Sequence, residues 1–139
     1  MRVVLDVNVW ISALLWGGIP AQLLHLAKSQ EITIFSSEDL LEELEVTLNR
    51  SKFIRQLQKR GYSVNELIAV TRGFSEQCST ILINVPELRD PKDNKIIAAA
   101  LTAEAEVLIT GDLDLLTLQE FSGIRILTPT DFINLYFSN

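Results

Sequence analysis

Short apolar runs alternate with helix-period stretches along the chain, and this alternation restricts the possible folds more than any other feature. We predict strands at residues 3–5, 32–35, 81–85, 107–110 and 124–127. Runs that are apolar throughout, rather than at every second position, are typical of parallel strands buried on both faces. Because parallel strands need crossover helices, the pattern predicts an α/β fold: a three-layer α/β/α sandwich with a central parallel sheet.

The segments between the strands carry helix periodicity and capping residues. We predict helices over residues 21–28, from Ser36 or Ser37 to about residue 50, over 52–59 and 64–78, from Pro91 with Asp90 as its cap, and from Thr128 or Thr130 to about residue 137. The chain has 139 residues and no internal repeat. We therefore predict a single domain over residues 1–139.

Composition narrows the possible chemistry. Cys78 is the one cysteine and His25 the one histidine, which excludes an internal disulfide framework and argues against histidine-based metal or triad chemistry. The net charge of −6 argues against binding nucleic acid by bulk charge, but it allows a nuclease whose acids share one cleft. With no signal-peptide pattern and no apolar run of transmembrane length, we expect a cytoplasmic protein without membrane contact.

Acidic residues collect where the predicted strands end. They are Asp6 after the first strand, Glu42, Glu43 and Glu45 after the second, Asp90 and Asp93 after the third, and Asp112 and Asp114 after the fourth. In open parallel sheets, ligands bind beyond the carboxyl ends of the strands, so these groups are expected to converge on one rim. Clustered carboxylates repel one another, and an all-oxygen ligand set suits Mg²⁺ or Mn²⁺.

Several of these acids have a structural explanation as well as a functional one. Asp6 is either a metal ligand or the cap of the helix that follows it. Asn8 either orients Asp6 or a bound water, or satisfies a turn. Asp90 before Pro91 is typical of an N-cap, and Asp93 is favoured by the helix dipole whatever its function. Asp114 either caps the next turn or assists a second metal ion.

The order and spacing of five segments resemble the PIN-domain ribonucleases, and within them the small prokaryotic toxins of toxin–antitoxin pairs. The segments are "VVLDVNVWISALL", "SSEDLLEELEVTL", "RDPKDNKIIAAAL", "VLITGDLDLL" and "RILTPTDFINLYF", so the resemblance runs nearly end to end. Carried over by position, it makes Asp6, Glu43, Asp93 and Asp112 the catalytic and metal-binding quartet. It places the family's Ser/Thr near the last acid on Thr110, and its polar residue after the first acid on Asn8. Asp114 and Asp90 are auxiliary.

The resemblance implies an Mg²⁺- or Mn²⁺-dependent endoribonuclease that cleaves single-stranded RNA, with a cognate antitoxin as partner and a homodimer as its assembly. One alternative is a catalytically inactive PIN module that binds RNA or a protein. Another is a haloacid-dehalogenase-type phosphatase, which would require a second aspartate where Asn8 stands.

The segment "RSKFIRQLQKR" is the one dense basic stretch of this acidic chain. Its cations are Arg50, Lys52, Arg55, Lys59 and Arg60. They either contact RNA phosphates, form a solvated helix face or meet an acidic antitoxin. The two tryptophans, Trp10 and Trp16, are expected in the core or a dimer interface rather than in a base-stacking platform.

Overall fold

A six-stranded sheet forms the centre of the molecule. The computed structural model describes residues 1–79 and 91–138, and at residues 91–93 it describes the backbone but not the side chains. The strands are β1 (Arg2–Leu5), β2 (Thr33–Ser36), β3 (Ser75–Gln77), β4 (Val107–Ile109), β5 (Glu120–Phe121) and β6 (Ile124–Leu127). Their order is β3-β2-β1-β4-β6-β5, and all neighbours are parallel except β5 and β6. The predicted strand at 81–85 and the predicted cap Asp90 lie outside the described residues.

Eight helices connect these strands in the described parts of the chain. They are α1 (Val7–Leu15), α2 (Gly18–Lys28), α3 (Glu38–Leu48), α4 (Ser51–Arg60), α5 (Val64–Phe74), α6 (Pro91–Thr102), α7 (Leu113–Leu118) and α8 (Pro129–Tyr136). Two of the cap alternatives are decided by hydrogen bonds. The Leu40 N–H donates to Ser37 Oγ at 3.2 Å, and the Asp131 N–H donates to Thr128 Oγ1 at 3.1 Å.

The two faces of the sheet carry two separate hydrophobic cores, as the three-layer prediction requires. Side chains alternate along each strand, so that Val3 and Leu5 of β1 pack in one core and Val4 in the other. The first core takes buried side chains from α1, α2, α3, α4, α5 and α8, whereas the second is dominated by α6 and α7. This confirms the sandwich with its mostly parallel central sheet.

The sequence prediction fails at the two edges of the sheet. The helix predicted over residues 64–78 ends at Phe74, and Ser75–Gln77 form the edge strand β3 instead. β3 lies at one edge of the sheet that the described residues form, and its side chains Glu76 and Gln77 are exposed, so its residues are polar. The strand β5 was not predicted either, since two residues are too few to carry a periodic signal.

No helix in the described part of the chain is both long and apolar enough to cross a membrane by itself. The consecutive helices α1 and α2 together have the length and apolar composition of a membrane span, but their axes are bent by 93° where they meet.

Candidate active site

The site is built at the carboxyl ends of the two central strands. β1 and β4 are parallel neighbours in which Leu5 is paired with Ile109. The next residues, Asp6 and Thr110, therefore leave the sheet side by side, although they are far apart in sequence. The backbone N–H of Asp6 donates to the Ile109 carbonyl at 2.9 Å, which extends the ladder to the rim.

The Thr110 hydroxyl joins two of the predicted acidic residues. It donates to Asp6 Oδ2 at 2.7 Å and accepts the backbone N–H of Asp112 at 3.0 Å. Thr110 is completely buried, so this hydroxyl is held in a fixed position by the packing around it. The position that the resemblance assigns to the family's Ser/Thr thus lies between the first and last acids of the quartet.

Asp6 caps α1 and also belongs to this cluster. Its Oδ1 accepts the Val7 N–H at 2.8 Å, while its Oδ2 faces Thr110. Burial raises the pKa of Asp6 above its ordinary value of 3.8. The hydrogen bonds from Thr110 and Val7 lower that pKa in part, and the negative charge of Asp112 raises it further. The cap role that the sequence suggests for Asp6 is therefore compatible with its other suggested role, a ligand at the rim of the sheet.

Asp112 is the N-cap of α7. Its Oδ1 accepts the Asp114 N–H at 2.8 Å. This corrects the alternative in which Asp114 caps that turn, because Asp114 contributes its backbone N–H and its side chain is exposed. Each oxygen of an ionised carboxylate can accept more than one hydrogen bond or ligand, so these caps leave Asp6 and Asp112 free to take another partner.

Glu43 lies half-buried on α3, whereas its neighbours Glu42 and Glu45 are exposed. It lines a pocket of about 200 Å³ together with Asp39, Glu42, Val46, Thr47, Arg50 and Lys95. Because Lys95 belongs to α6, this pocket opens beside the part of α6 that follows Asp93. Of the three glutamates left open by the helix pattern, Glu43 is therefore the least exposed.

The remaining predicted site residues are placed less completely. Asp93 lies in the first turn of α6, but its side chain is outside the described residues. Asn8 is exposed in the first turn of α1, and within the described residues its side chain is not among the groups that hold Asp6. Among the side chains that the structure describes, no group of three or more His, Cys, Asp or Glu is placed to hold a metal ion.

Comparison with known proteins gives the family. A family model described as "PIN domain" matches residues 2–114. The chain belongs to the PIN-domain family. That match covers the elements from β1 to the start of α7, including all four acids of the proposed quartet.

A solved structure supports the PIN fold over nearly the whole chain. A chain in the crystal structure of VapBC2 from Rickettsia felis, bound to a DNA fragment from their promoter, superposes with a TM-score of 0.61 at 18% sequence identity. The superposition covers 91% of this chain and 97% of that chain. No curated protein matches the sequence.

The sequence does not single out two features of the structure, Lys95 beside Glu43 and the exposed Trp16. Lys95 lines the pocket of Glu43, and its position two residues after Asp93 was the available signal. Of the two tryptophans expected in the core or a dimer interface, Trp10 is in the core at 1% exposed, whereas Trp16 is 50% exposed and so lies outside the core. Trp16 follows the last residue of α1 and precedes Gly17 and Gly18, a break that signals exposure.

Proposed function

We propose that this PIN domain is an endoribonuclease that cleaves single-stranded RNA with Mg²⁺ or Mn²⁺, and that it is the toxin of a toxin–antitoxin pair. The family supports nuclease chemistry. The observation that carries the proposal is the cluster at the end of β1 and β4, where Thr110 joins Asp6 to the backbone of Asp112. A buried carboxylate beside a second carboxylate is unfavourable without a cation, and a raised pKa at Asp6 is the expected sign of that.

The donor set fits a hard divalent cation. Asp6 and Asp112 offer carboxylate oxygens on one rim, and these are the ligands that Mg²⁺ and Mn²⁺ prefer. We assign the ion or ions to Asp6, Glu43, Asp93 and Asp112. When bound, such an ion supplies a water-derived nucleophile at neutral pH and stabilises the charge that develops on the phosphate.

The chain's own residues position these ligands. Thr110 and the Val7 N–H fix the two oxygens of Asp6, and the Asp114 N–H fixes one oxygen of Asp112. Asp6 and Asp112 therefore need little reorganisation to take up a ligand, since their rotamers are already held by hydrogen bonds. Thr110 is a positioning residue in this proposal.

We propose a cognate antitoxin as partner because the VapBC2 chain of similar fold was solved in a two-component complex with promoter DNA. The test is to express this chain alone and together with the protein of the neighbouring reading frame. Growth arrest by the chain alone, and recovery with co-expression, is expected. Growth that is unaffected by active protein would contradict the toxin role.

RNA cleavage tests the chemistry. We expect wild-type protein with Mg²⁺ or Mn²⁺ to cut an unstructured RNA, and EDTA to abolish the cut. Asp6→Asn, Asp93→Ala and Asp112→Asn should each lower the rate by at least about 100-fold, because loss of a group that only supports a metal ligand already costs about 10- to 100-fold. Asp131→Asn is the matched control, because Asp131 is an exposed acid in the first turn of α8. This variant should cleave RNA at the wild-type rate. Full activity of Asp6→Asn would refute the mechanism.

Two alternatives are separated by simple measurements. An inactive PIN module would show no carboxylate-dependent heat on calorimetric titration with Mn²⁺, whereas we expect wild-type binding that Asp112→Asn weakens. A dehalogenase-type phosphatase would form a covalent phosphate adduct on Asp6. The PIN family match argues against that reaction, and Asn8 provides no carboxyl group for its general acid.

A further inference from the structure

We propose that helix α4 and Trp16 form a binding track that leads single-stranded RNA to the carboxylate site. We call the α4 track the set Arg50, Lys52, Arg55, Lys59, Arg60 and Trp16. The proposal rests on the proposed function for its substrate class, but it concerns a surface outside the acidic cluster.

The first argument is the placement of the charges on α4. Lys52, Arg55 and Lys59 are spaced by three and four residues, so they lie on one face of the helix, and all three are exposed. Leu57 is buried in the first core on the opposite face, with Phe53 packed against it. The apolar face is therefore used for folding, and the basic face is left to solvent.

The second argument is that none of these cations is held in an ion pair within the described residues. In the parts of the chain that the structure describes, the one ion pair is Arg72 with Glu38, and none of the five track cations takes part in it. The segment Ser51–Arg60 contains no acidic residue. Arg50 lies beside the acids of the Glu43 pocket, but the other four track cations concentrate positive charge outside ion pairs in a protein of net charge −6, and such a surface is suited to a polyanion.

The third argument is the aromatic end of the track. The Arg60 guanidinium lies over the Trp16 ring, 5.3 Å from its centroid, and half of Trp16 is exposed. An arginine held against an exposed indole places a phosphate-binding group next to a surface on which a base can stack. An acidic peptide would need the cations but not the ring, which is why we favour a nucleic acid.

The fourth argument is that the first cation of the track lies beside Glu43, one of the four acids to which we assign the metal ion. Arg50 lines the same pocket as Glu43, and α4 runs from there to Arg60 and Trp16. A helix of this length extends about 15 Å, enough to contact several phosphates of a strand whose scissile group lies near Glu43. The stacking site at Trp16 therefore lies at the far end of α4 from the proposed chemistry.

Tryptophan fluorescence tests the track directly, because Trp16 is half exposed and Trp10 is buried. We would titrate the Asp6→Asn protein, in EDTA so that no RNA is cut, with an unlabelled oligouridylate of about 12 nucleotides. We expect quenching that is absent in a Trp16→Phe background. Trp16→Ala should weaken binding, measured by calorimetry, by roughly fivefold or more, as loss of a stacked base does. Unchanged fluorescence at saturation would overturn the assignment of Trp16.

Matched charge variants test the cations. Lys59→Ala/Arg60→Ala removes two positive charges from the track, and Lys28→Ala/Arg125→Ala removes two exposed ones elsewhere, so the two proteins have equal net charge. If both residues contact phosphate, the first pair should weaken binding roughly 25-fold near 0.1 M salt and reduce the salt slope by about 1.4. The control pair should change both much less. Equal effects of the two pairs would overturn the track.

Competition separates the two classes of partner. Polyglutamate of similar length should displace the oligouridylate poorly, and equally strong competition would show that the surface recognises charge alone. Because these measurements need neither metal nor cleavage, they stand apart from the proposed function. A wild-type enzyme that cuts RNA but fails these tests would refute the track alone. Binding by a chain that cuts nothing would keep the track and refute the nuclease.

Discussion

At the scale of single residues, Thr110 makes the most specific prediction. Its hydroxyl is buried and holds both Asp6 Oδ2 and the Asp112 N–H. Thr110→Val keeps the shape of the side chain and removes both hydrogen bonds. We expect it to lower metal-dependent cleavage about 10- to 100-fold, the usual effect of losing a group that orients a metal ligand. Cleavage rates measured against Mn²⁺ concentration would show part of that loss as a higher Mn²⁺ concentration needed for half-maximal activity.

The conservative variant at the same position provides the control. Thr110→Ser keeps the hydroxyl and loses one methyl group, so it should recover most of the activity while losing roughly 1 kcal/mol of stability to the missing buried carbon. If Thr110→Val and Thr110→Ser cleave equally poorly, Thr110 acts through packing rather than through its hydroxyl.

Replacement of Asp6 should change stability and activity in opposite directions, raising the first and lowering the second. Its pKa is raised by burial, so the folded state binds a proton at Asp6 more readily than the unfolded state. Stability is therefore lost as the pH rises from the ordinary value of 3.8 through the raised pKa, and the penalty is fully present above it. In EDTA at neutral pH, Asp6→Asn should melt higher than wild type, with roughly 3–5 °C for each kcal/mol regained.

The pH profile checks the cause. The advantage of Asp6→Asn should shrink as the pH is lowered, because wild-type Asp6 then becomes protonated and its charge penalty disappears. Thermal melts of both proteins from neutral to acidic pH would measure this difference. An advantage that is independent of pH would assign the effect to packing instead.

At the scale of helices and strands, the caps connect stability to the site. The buried Ser37 caps α3, which carries Glu43, and the exposed Ser63 caps α5. Ser37→Ala and Ser63→Ala should each cost about 1 kcal/mol of unfolding free energy, as loss of an N-cap does. Urea melts would measure both.

Cleavage assays distinguish the two caps. Because α3 holds Glu43 in its pocket, Ser37→Ala should also slow cleavage below the melting range, whereas Ser63→Ala should leave the rate unchanged. A rate that falls equally in both variants would mean that general destabilisation, not the position of α3, determines activity.

The sequence was most informative where elements are buried. The strand at 124–127 is found at the predicted residues, and the strands near 3–5, 32–35 and 107–110 differ at their ends only, because continuous apolar runs reflect burial on both faces. Ser37 could not be chosen over Ser36 as a cap, since two adjacent serines satisfy the same pattern. The helix at 64–78 was extended too far because the polar edge strand β3 has no apolar signal.

For the candidate site, the sequence pattern gives the acidic residues but not which of them lie together. An acid directly after a buried strand is expected at the rim of the sheet, and this pattern selects Asp6 but leaves Asp112 and Asp114 open; the resemblance selects Asp112. Their connection through Thr110 depends on β1 lying next to β4, and strand order is not visible in local periodicity. The helix pattern could not choose among Glu42, Glu43 and Glu45, because all three lie off the centre of the apolar stripe. The exposure of Trp16 likewise depends on how α1 ends.

At the scale of the whole molecule, the fold brings together charges that the unfolded chain keeps apart. Asp6 follows the first strand of the chain and Asp112 follows β4, and the sheet places them on one rim. The native state therefore contains a charge repulsion that the unfolded state lacks. A ligand that binds the folded carboxylates and not the unfolded chain must stabilise the protein by mass action.

Mn²⁺ should therefore raise the melting temperature of the wild-type protein. At about 100 times the dissociation constant the gain is roughly 2.7 kcal/mol, or about 8–13 °C for a domain of this size. Asp112→Asn and Asp6→Asn should each lose most of this shift. Their double variant should lose little more than either single one, because residues that bind one ion act as a unit. Wild type, which melts below Asp6→Asn in EDTA, should melt above it in Mn²⁺. This reversal in the order of the two melting temperatures requires that Asp6 both destabilise the metal-free protein through its buried charge and bind the cation. Equal shifts of the melting temperature in all four proteins would therefore place the ion elsewhere.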